Sequence, residues 1–287
     1  MKEPAVERAR AAYAEKIRAP AGIRCESLVR ALARVPREDF VGPGPWKILL
    51  PTDLGRGYRE TPDTDPCHLY DNVLVALDPV RRLNNGEPAV LLRSLDSLEL
   101  QPGDSFLHVG CGVGYYTAIA TEAVRPGGRA TGVEIDPSLA ERARRNTAKD
   151  GDIEIVSGDG SASAGGRFDA IFVNAVATEV SSSWLDSLAA AGRLLLPLTV
   201  SIAGVNLGVG WMLLVRRYGE TYTAEFRTPV GIYHCAGARS DAGEERLRRL
   251  FASPPASGER RLLRRSHAEG AGCALHGADF CIQDSRR

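Results

Sequence analysis

The sequence predicts an α/β fold built on a doubly wound, mainly parallel sheet. Short apolar runs alternate with stretches of helical spacing between residues 104 and 198, which is the pattern of strands joined by crossover helices. These runs are nearly continuous in Val, Ile and Leu, as is typical of strands covered on both faces. The 287 residues suffice for one large α/β domain with an appendage.

Composition and charge argue against several classes of partner. The chain carries 36 basic and 36 acidic residues, so its net charge gives no reason to expect a nucleic acid or a membrane as partner. Its first residues are charged and lack the apolar segment of a secretory signal, which leads us to expect a cytoplasmic protein. The uncharged stretch 194–215 is interrupted by Pro197 and Asn206, and it indicates two buried strands with a turn rather than a membrane span.

Helical spacing marks three segments in the first third of the chain. Apolar residues recur with a helical period over residues 3–18 and 25–35, and residues 87–98 are amphipathic with Pro88 near their start. Residues 42–68 are rich in Pro, Gly, Asp and Thr and have no sustained period. We therefore expect three helices and an ordered loop or cover.

The strands of the predicted sheet come after these three helical segments in the chain. Strand-like and helix-like runs alternate in the order FLHVG, YTAIATEAV, RATGVEI, SLAERARRNTAK, IEIVSG, DAIFVNA, SSWLDSLAAA and RLLLPL. Beyond residue 198 the pattern predicts a hairpin around Tyr218 to Glu220 and further antiparallel strands. Residues 253–261 are typical of an exposed linker.

The turn after the first strand of this series carries glycine at alternate positions. In DSFLHVGCGVGYYTAIA, Gly110, Gly112 and Gly114 remove Cβ atoms where the chain bends from a strand into a helix. Ligands of parallel α/β sheets bind at such turns, beside the free N–H groups of the helix. Tyr115 stands where a dinucleotide fingerprint has its third glycine, which disfavours a dehydrogenase. A tight turn without a ligand remains an alternative.

The next strand ends add polar residues that suit a nucleoside. Glu134 follows Gly110 by 24 residues, close to the position from which an acidic side chain accepts the two ribose hydroxyls. Asp159 and Gly160 end a third strand and suit an adenine ring, and Asn174 ends a fourth. Four strand ends in order therefore predict a nucleoside ligand.

These motifs in register resemble the class I S-adenosylmethionine-dependent methyltransferases and, more narrowly, the protein-L-isoaspartate O-methyltransferase family. The resemblance covers roughly residues 30–200, including the segment LARVPREDFV. It implies a Rossmann-like seven-stranded sheet and S-adenosyl-L-methionine as cofactor, with S-adenosyl-L-homocysteine as product. It also implies four cofactor contacts: Gly110, Gly112, Glu134 and Asp159. We add their neighbours to the predicted cofactor site: Cys111, Gly114, Tyr115, Thr117, Ile135, Gly160 and Asn174.

Three parts of the chain are expected. Residues 1–86 form an N-terminal helical and loop cover on the acceptor side, which includes a lid. Residues 87–235 form the S-adenosylmethionine-binding core. Residues 236–287 form a C-terminal helical extension and tail.

The sequence departs from the family in the segment before the helix that precedes the glycine turn. The family has a T-I-S-x-P type segment there, and this chain has LNNGEP, so that Gly86 replaces the serine and Glu87 stands beside it. A substrate carboxylate is already ionised at pH 7 and needs no base, whereas Glu87 suits a phenol, indole or amine that loses a proton. Glu87 is therefore a candidate base, and a first-turn acid favoured by the helix dipole is the alternative.

Other acceptor-side residues come from the same segment and from the preceding loop. Asn84, Asn85 and Asp71 are predicted to bind the substrate. His68 and Tyr70 join Glu87 as catalytic candidates in a lid, where the ring of Tyr70 would face a flat substrate or the sulfonium. Ordinary loop packing is the alternative for His68, Tyr70 and Asp71.

These residues predict a methyltransferase that has diverged from the isoaspartate-methyltransferase scaffold. Its acceptor would be a small aromatic metabolite or a modified peptide of specialised metabolism. The acceptor would be a small molecule or peptide, and the protein would be a monomer or homodimer. Isoaspartyl carboxyl methylation is the second hypothesis. A partner or sensor that binds the nucleoside without catalysis is the third.

The cysteines show no C-x-x-C spacing, so we expect no disulfides. Near the end of the chain, a set of His and Cys residues has the spacing H-x5-C-x2-H-x4-C, which fits no standard zinc module. Its members are His267, Cys273, His276 and Cys281. We expect no metal.

Overall fold

The computed structural model describes residues 3–53, 56–162, 165–204, 207–233, 238–264, 272–277 and 279–283. Within them the helices are α1 Glu3–Ala21, α2 Glu26–Arg34, α3 Glu38–Val41, α4 Pro88–Ser97, α5 Tyr115–Val124, α6 Pro137–Thr147, α7 Ser182–Asp186 and α8 Asp241–Leu250. Short 3₁₀ helices span Pro51–Asp53 and Pro66–Leu69. The strands are β1 Lys47–Leu49, β2 Arg59–Glu60, β3 Leu74–Asp78, β4 Leu83–Asn84, β5 Ser105–Val109, β6 Arg129–Glu134, β7 Ile153–Ser157, β8 Phe168–Val173, β9 Leu188–Ser201, β10 Leu207–Tyr218, β11 Thr221–Tyr233, β12 Arg260–Arg264, β13 Cys273–His276 and β14 Phe280–Gln283.

The chain forms two compact units. The first unit comprises residues 1–103 and 111–157, and the second comprises residues 104–110 and 158–287. The three-part division expected from the sequence stays a prediction.

The helices of the first unit follow the apolar period of the sequence. α2 buries Leu28 and Leu32 on one face, as expected for residues four apart on a helix. α4 begins at Pro88, where a missing N–H leaves no helical hydrogen bond unmade. The three helices expected in this part of the chain are thus present.

A small antiparallel sheet in the first unit has the order β2-β1-β3-β4. β1, β2 and both 3₁₀ helices lie in or at the edge of the segment expected to be a loop or cover. Trp46, Ile48 and Val75 are buried together in one apolar cluster. The Trp46 indole N–H donates to the Gly42 carbonyl oxygen at 2.8 Å. The ring is therefore fixed by this hydrogen bond as well as by apolar packing. The first unit also contains the parallel pair β6 and β7.

The N-terminus of α6 depends on Asp136. Its carboxylate accepts the N–H groups of Ser138 at 2.8 Å and Leu139 at 3.1 Å, and lies 2.5 Å from an Arg81 nitrogen. Burial opposes ionisation, but these bonds outweigh it and lower the pKa of Asp136 to about 2. The charged side chain therefore stabilises the folded state above the ordinary carboxyl pKa, and this contribution falls as the pH drops towards 2.

We expect Asp136→Ala to lower the free energy of unfolding by about 1 kcal/mol at pH 7, the usual cost of losing an N-cap. The difference from the parent protein should shrink between pH 4 and pH 2, because Asp136 of the parent becomes protonated in the folded state over that range. Urea unfolding of both proteins at several pH values measures this difference in the free energy of unfolding. A difference that stays constant over this range would contradict the assignment.

The second unit carries most of the sheet, in the order β13-β14-β12-β11-β10-β9-β8-β5. β8 runs parallel to β5 and β9, and its residues Ala170–Val173 are all buried, as expected for a strand covered on both faces. β9, β10 and β11 are long antiparallel neighbours, and β10 and β11 meet at Tyr218 and Thr221. The predicted hairpin is present there, and the uncharged stretch forms β9 and β10. None of the described helices combines the length and the apolar character that a membrane span requires.

The C-terminal extension adds strands as well as the expected helix. β12 pairs with β11, and β14 lies between β12 and β13, so this unit alone has eight strands where the resemblance implies seven in all. These strands form because apolar side chains such as Leu262 and Ile282 face a buried side. The expectation of no disulfides is wrong, since Cys273 and Cys281 are bonded across the β13–β14 hairpin. Sequence spacing does not reveal this pairing, because the strand register creates it.

Candidate active site

The glycine turn of the first unit leads directly into α5, which begins at Tyr115. Gly112 has φ +58° and Gly114 has φ +89°, the left-handed conformation that favours glycine. A Cβ on Gly114 would lie 3.2 Å from the Thr147 methyl carbon, whereas a Cβ on Gly112 would meet no atom within 4 Å. Gly112 thus needs glycine for its conformation and leaves open space beside the turn.

Glu134 ends β6 and is tied to this turn. It is only 7% exposed, and one carboxylate oxygen accepts the Gly112 N–H at 2.8 Å while the other accepts the Asp136 N–H at 3.0 Å. Burial raises the pKa of Glu134, and these two N–H groups oppose that rise. An ionised carboxylate has about four lone-pair positions, so the side chain is oriented yet can still accept two hydroxyl groups.

The other predicted cofactor residues of the first unit differ in their exposure. Ile135 is 44% exposed at the end of β6, where a ligand can reach it. Tyr115 and Thr117 are buried in α5, and the ring of Tyr115 lies 5.3 Å from that of Phe40. Cys111 is also buried, and burial raises the pKa of its thiol. Tyr115 and Thr117 therefore belong to the core around the turn, and their cofactor contacts stay predictions.

In the second unit, glycine allows two close approaches of the backbone. A Cβ on Gly110 would lie 2.9 Å from the carbonyl oxygen of Asn174, and one on Gly160 would overlap the side chain of Val109. The Asn174 N–H donates to the Val109 carbonyl at 2.8 Å, which holds the ends of β5 and β8 together. Asp159 is exposed beside Gly160. These four predicted cofactor residues are thus placed at strand ends, as expected.

In the segment before α4, a chain of hydrogen bonds fixes the start of the helix. The Asn72 amide donates to the Glu87 carboxylate at 2.8 Å, and its oxygen accepts the Ala89 N–H at 2.9 Å. Gly86 has φ +72°, and its N–H donates to the Asn84 side chain at 2.8 Å. Asn84 and Glu87 therefore shape the backbone here, whatever further role they have. Asn72 was not predicted, because its contacts are made across 15 and 17 residues of sequence.

Two of the buried donors that lack a partner among the described residues lie in or beside the segment before α4. Within the described ranges, neither the Asn85 amide nitrogen nor the Tyr116 hydroxyl makes a hydrogen bond, although both residues are buried. A Cβ on Gly86 would lie 3.5 Å from the Tyr116 ring, so the ring flanks the segment that contains Asn85. Buried donors without partners are costly, which makes them candidates for ligand contacts.

Tyr70 is engaged away from the segment before α4. Its hydroxyl accepts from the Arg10 guanidinium at 2.9 Å and donates to Glu38. Burial, followed by the hydrogen bond to Glu38, raises the pKa of Tyr70. The hydroxyl is therefore held in its neutral form, and the predicted lid role of Tyr70 stays a prediction.

His68 and Asp71 also have partners outside that segment. The Nε2 atom of His68 lies 2.8 Å from the Asp63 carboxylate, and Asp71 pairs with Lys16 at 2.7 Å. Both pairs are largely exposed. The roles of His68 in catalysis and of Asp71 in substrate binding stay predictions.

Arg37 is the main residue that the sequence analysis missed. It is 0% exposed, and its guanidinium donates to the carbonyl oxygens of Leu69 at 3.1 Å, Val73 at 2.8 Å and Gly86 at 3.3 Å. One side chain thus joins the segment that carries Asn72 to the residue before Glu87. The segment LARVPREDFV contains two arginines, and either one looks like a solvated charge in the sequence. Only the resemblance of the whole segment to the family pointed to this part of the chain.

The comparisons with known proteins agree on one family. The family model described as protein-L-isoaspartate(D-aspartate) O-methyltransferase matches residues 82–205. A protein-L-isoaspartate O-methyltransferase of Aeropyrum pernix is 33% identical over 195 residues, which cover 66% of this chain and 66% of that protein. The enzyme of the same name from Methanopyrus kandleri is 31% identical over 196 residues, which cover 66% of this chain and 76% of that protein.

Solved structures support the same fold. A protein-L-isoaspartate O-methyltransferase structure has a TM-score of 0.61 at 16% identity, with 94% of this chain and 87% of that chain covered. A Plasmodium falciparum structure described under the same enzyme name, in complex with S-adenosyl-L-homocysteine, has a TM-score of 0.54 at 17% identity. It covers 80% of this chain and 96% of that chain. The Rossmann-like α/β class is therefore confirmed.

The prediction of an acceptor from specialised metabolism is wrong, because relatives at about 30% identity are isoaspartate methyltransferases. That prediction rested on Gly86 and Glu87, and the structure gives both a local reason: a left-handed backbone and a hydrogen bond from Asn72. The predicted enzyme class, an S-adenosyl-L-methionine-dependent methyltransferase, is confirmed. The chain belongs to the protein-L-isoaspartate O-methyltransferase family.

Proposed function

We propose that this protein transfers a methyl group from S-adenosyl-L-methionine to the side-chain carboxylate of isoaspartyl residues in peptides or proteins. The observation that carries the proposal is the match to the Methanopyrus kandleri enzyme, 31% identical over 76% of that protein. The geometry of the glycine turn and of the segment before α4 supports it.

The first unit offers a fitting place for the adenosyl group. Glu134 is oriented by two backbone N–H groups and keeps lone pairs for the two ribose hydroxyls. Gly112 leaves open space beside it, and the exposed Ile135 offers an apolar surface to a base. In the second unit, Gly110, Asp159, Gly160 and Asn174 stay predicted cofactor contacts.

The acceptor chemistry needs orientation and no base. When bound, the cofactor supplies a methyl group on a positively charged sulfur, and a carboxylate oxygen takes it while the C–S electron pair stays on sulfur. A substrate carboxylate is ionised at pH 7, so no proton moves in the transfer. The buried amide of Asn85 and the hydroxyl of Tyr116 are donors suited to hold that carboxylate. Glu87 then serves to position the backbone through Asn72.

Glu87→Gln is expected to retain turnover with an isoaspartyl peptide to within about threefold. Its side-chain oxygen can still accept the Asn72 amide hydrogen, and a base is not required. A general base would give a loss of about 100-fold or more. Steady-state kinetics between pH 6 and pH 9 separates the two, and Asn72→Ala serves as a comparison that removes both hydrogen bonds. A large loss in kcat for Glu87→Gln with unchanged KM would contradict the positioning role.

The decisive experiment uses two synthetic peptides that differ only in an isoaspartyl or a normal aspartyl linkage. With labelled S-adenosyl-L-methionine, the isoaspartyl peptide should gain a base-labile methyl ester and the aspartyl peptide should not. Binding of S-adenosyl-L-homocysteine is measured in parallel by calorimetry. Binding without transfer to the isoaspartyl peptide would reject the proposal and favour a non-catalytic partner or sensor.

A cytoplasmic location, the lack of a nucleic-acid partner and a monomeric or homodimeric state stay predictions of the sequence. The peptide or protein nature of the acceptor follows from the proposal itself.

A further inference from the structure

Three potential metal ligands meet on the C-terminal hairpin of β13 and β14. The ligand atoms of Cys273, His276 and Cys281 all lie within 4.8 Å of one another. The sulfur of Cys273 lies 3.7 Å from Nδ1 of His276. Cys281 is fully buried and the other two residues are half-buried. The hairpin lies outside residues 82–205, the span of the family match.

The strand register explains why these side chains share a face. His276 is the cross-strand partner of Cys281, and partners across an antiparallel pair point to the same side. Cys273 and His276 are three residues apart, so regular alternation would place them on opposite faces. The register shifts between Cys273 and Leu275, and this bulge turns Cys273 to the side of His276.

We propose that the reduced hairpin binds one Zn²⁺ through the sulfurs of Cys273 and Cys281 and Nδ1 of His276. In the structure the two sulfurs are joined in a disulfide. A dithiol reductant cleaves this bond with two electrons, yields two cysteine thiols and becomes a disulfide itself. Zn²⁺ then displaces the two thiol protons, and the neutral imidazole donates its lone pair.

The donor set and the spacing suit zinc. Thiolate and imidazole ligands favour Zn²⁺ over Mg²⁺ and Ca²⁺, which prefer oxygen. With Zn–S near 2.3 Å and Zn–N near 2.0 Å, a tetrahedral site separates sulfur and nitrogen by about 3.6 Å. The observed 3.7 Å between Cys273 and His276 matches that separation. His267, the fourth member of the set found in the sequence, lies outside the described residues. The three ligands named above leave the fourth position of the tetrahedron for a further ligand.

The metal would stabilise a small element. β13 and β14 have four residues each, and two-stranded hairpins of this size are marginal without further support. A cavity of about 350 Å³ lies beside the cluster and is lined by residues of α8, including Arg246 and Arg249. Zinc and the disulfide are mutually exclusive links between the same strands, so the redox state selects which one is present.

The test uses the full chain, reduced with dithiothreitol, freed of reductant without oxygen and titrated with Co²⁺. One equivalent should produce a thiolate-to-cobalt absorption in the near ultraviolet and visible bands of a tetrahedral ion, and Zn²⁺ should abolish both. The untreated, disulfide-bonded protein should show neither. These readouts do not depend on methyl transfer, so they stand apart from the proposed activity.

Cys273→Ser and His276→Ala should each weaken Co²⁺ binding by at least tenfold, since even outer-shell changes at metal sites cost that much. Cys67→Ser is the matched control, because Cys67 is an exposed free cysteine in the other unit. Circular dichroism verifies that the variants fold. Absence of the cobalt spectrum in the reduced, folded protein would overturn the proposal. So would an unchanged spectrum in both ligand variants.

Discussion

Replacing Glu134 by alanine is expected to weaken the binding of S-adenosyl-L-homocysteine on the order of 100-fold. The carboxylate would accept two ribose hydroxyls, and hydrogen bonds to a charged group contribute about 1.5–3 kcal/mol each. A loss of about 3 kcal/mol corresponds to roughly a 100-fold change in Kd. The variant also removes the partner of the Gly112 N–H, which loosens the turn itself. Isothermal titration calorimetry measures the affinity directly.

The matched control for this variant is Glu141→Ala, an exposed position on α6. It should bind the ligand like the parent protein. Glu134→Gln should fall between the two, because its amide keeps one acceptor and loses the charge. An affinity of Glu134→Ala within threefold of the parent, with an unchanged melting temperature, would remove Glu134 from the cofactor site.

Arg37→Ala is expected to lower the free energy of unfolding by about 4 kcal/mol. The change leaves the carbonyl groups of Leu69, Val73 and Gly86 without their donor, and an unpaired buried polar group costs about 1–3 kcal/mol. A cavity adds to this cost because the side chain is fully buried. Chemical unfolding followed by circular dichroism gives the value, provided that the variant can be purified.

Two further variants keep this test informative. Arg30→Ala removes an exposed arginine of α2 and should change stability by no more than about 0.5 kcal/mol. Arg37→Lys retains the charge but has a single nitrogen, which cannot reach three carbonyls in the planar geometry of a guanidinium. It should recover only part of the loss. A stable Arg37→Ala protein with normal kinetics would show that Arg37 is not needed to hold the segment before α4 in place.

The sequence predicts best those features that depend on neighbouring residues. The amphipathic period of α2 and the apolar run of β8 lead directly to the observed elements. The glycine turn and Glu134 are also found in advance, because a parallel sheet brings successive strand ends to one edge. The hydrogen bond from the Gly112 N–H to Glu134 shows that the two residues are neighbours, and their cofactor contacts stay predictions.

Contacts between residues that are far apart in the sequence cannot be predicted in this way. Arg37 binds carbonyl groups 32, 36 and 49 residues away, and Tyr70 binds a carboxylate 32 residues away. No periodic pattern encodes these contacts. The acceptor could not be predicted for a related reason. The sequence shows that a hydroxyl is missing at Gly86, but it does not show the left-handed backbone conformation that favours glycine there.

The position of β13 in the second unit has a consequence for behaviour at high concentration. It lies at the outer margin of the sheet and has only four residues, tied to β14 by a covalent bond. A long exposed edge strand can pair with strands of other molecules, and natural proteins avoid this by keeping edge strands short. The short, disulfide-linked hairpin therefore protects the long strands β9, β10 and β11 from intermolecular pairing and aggregation.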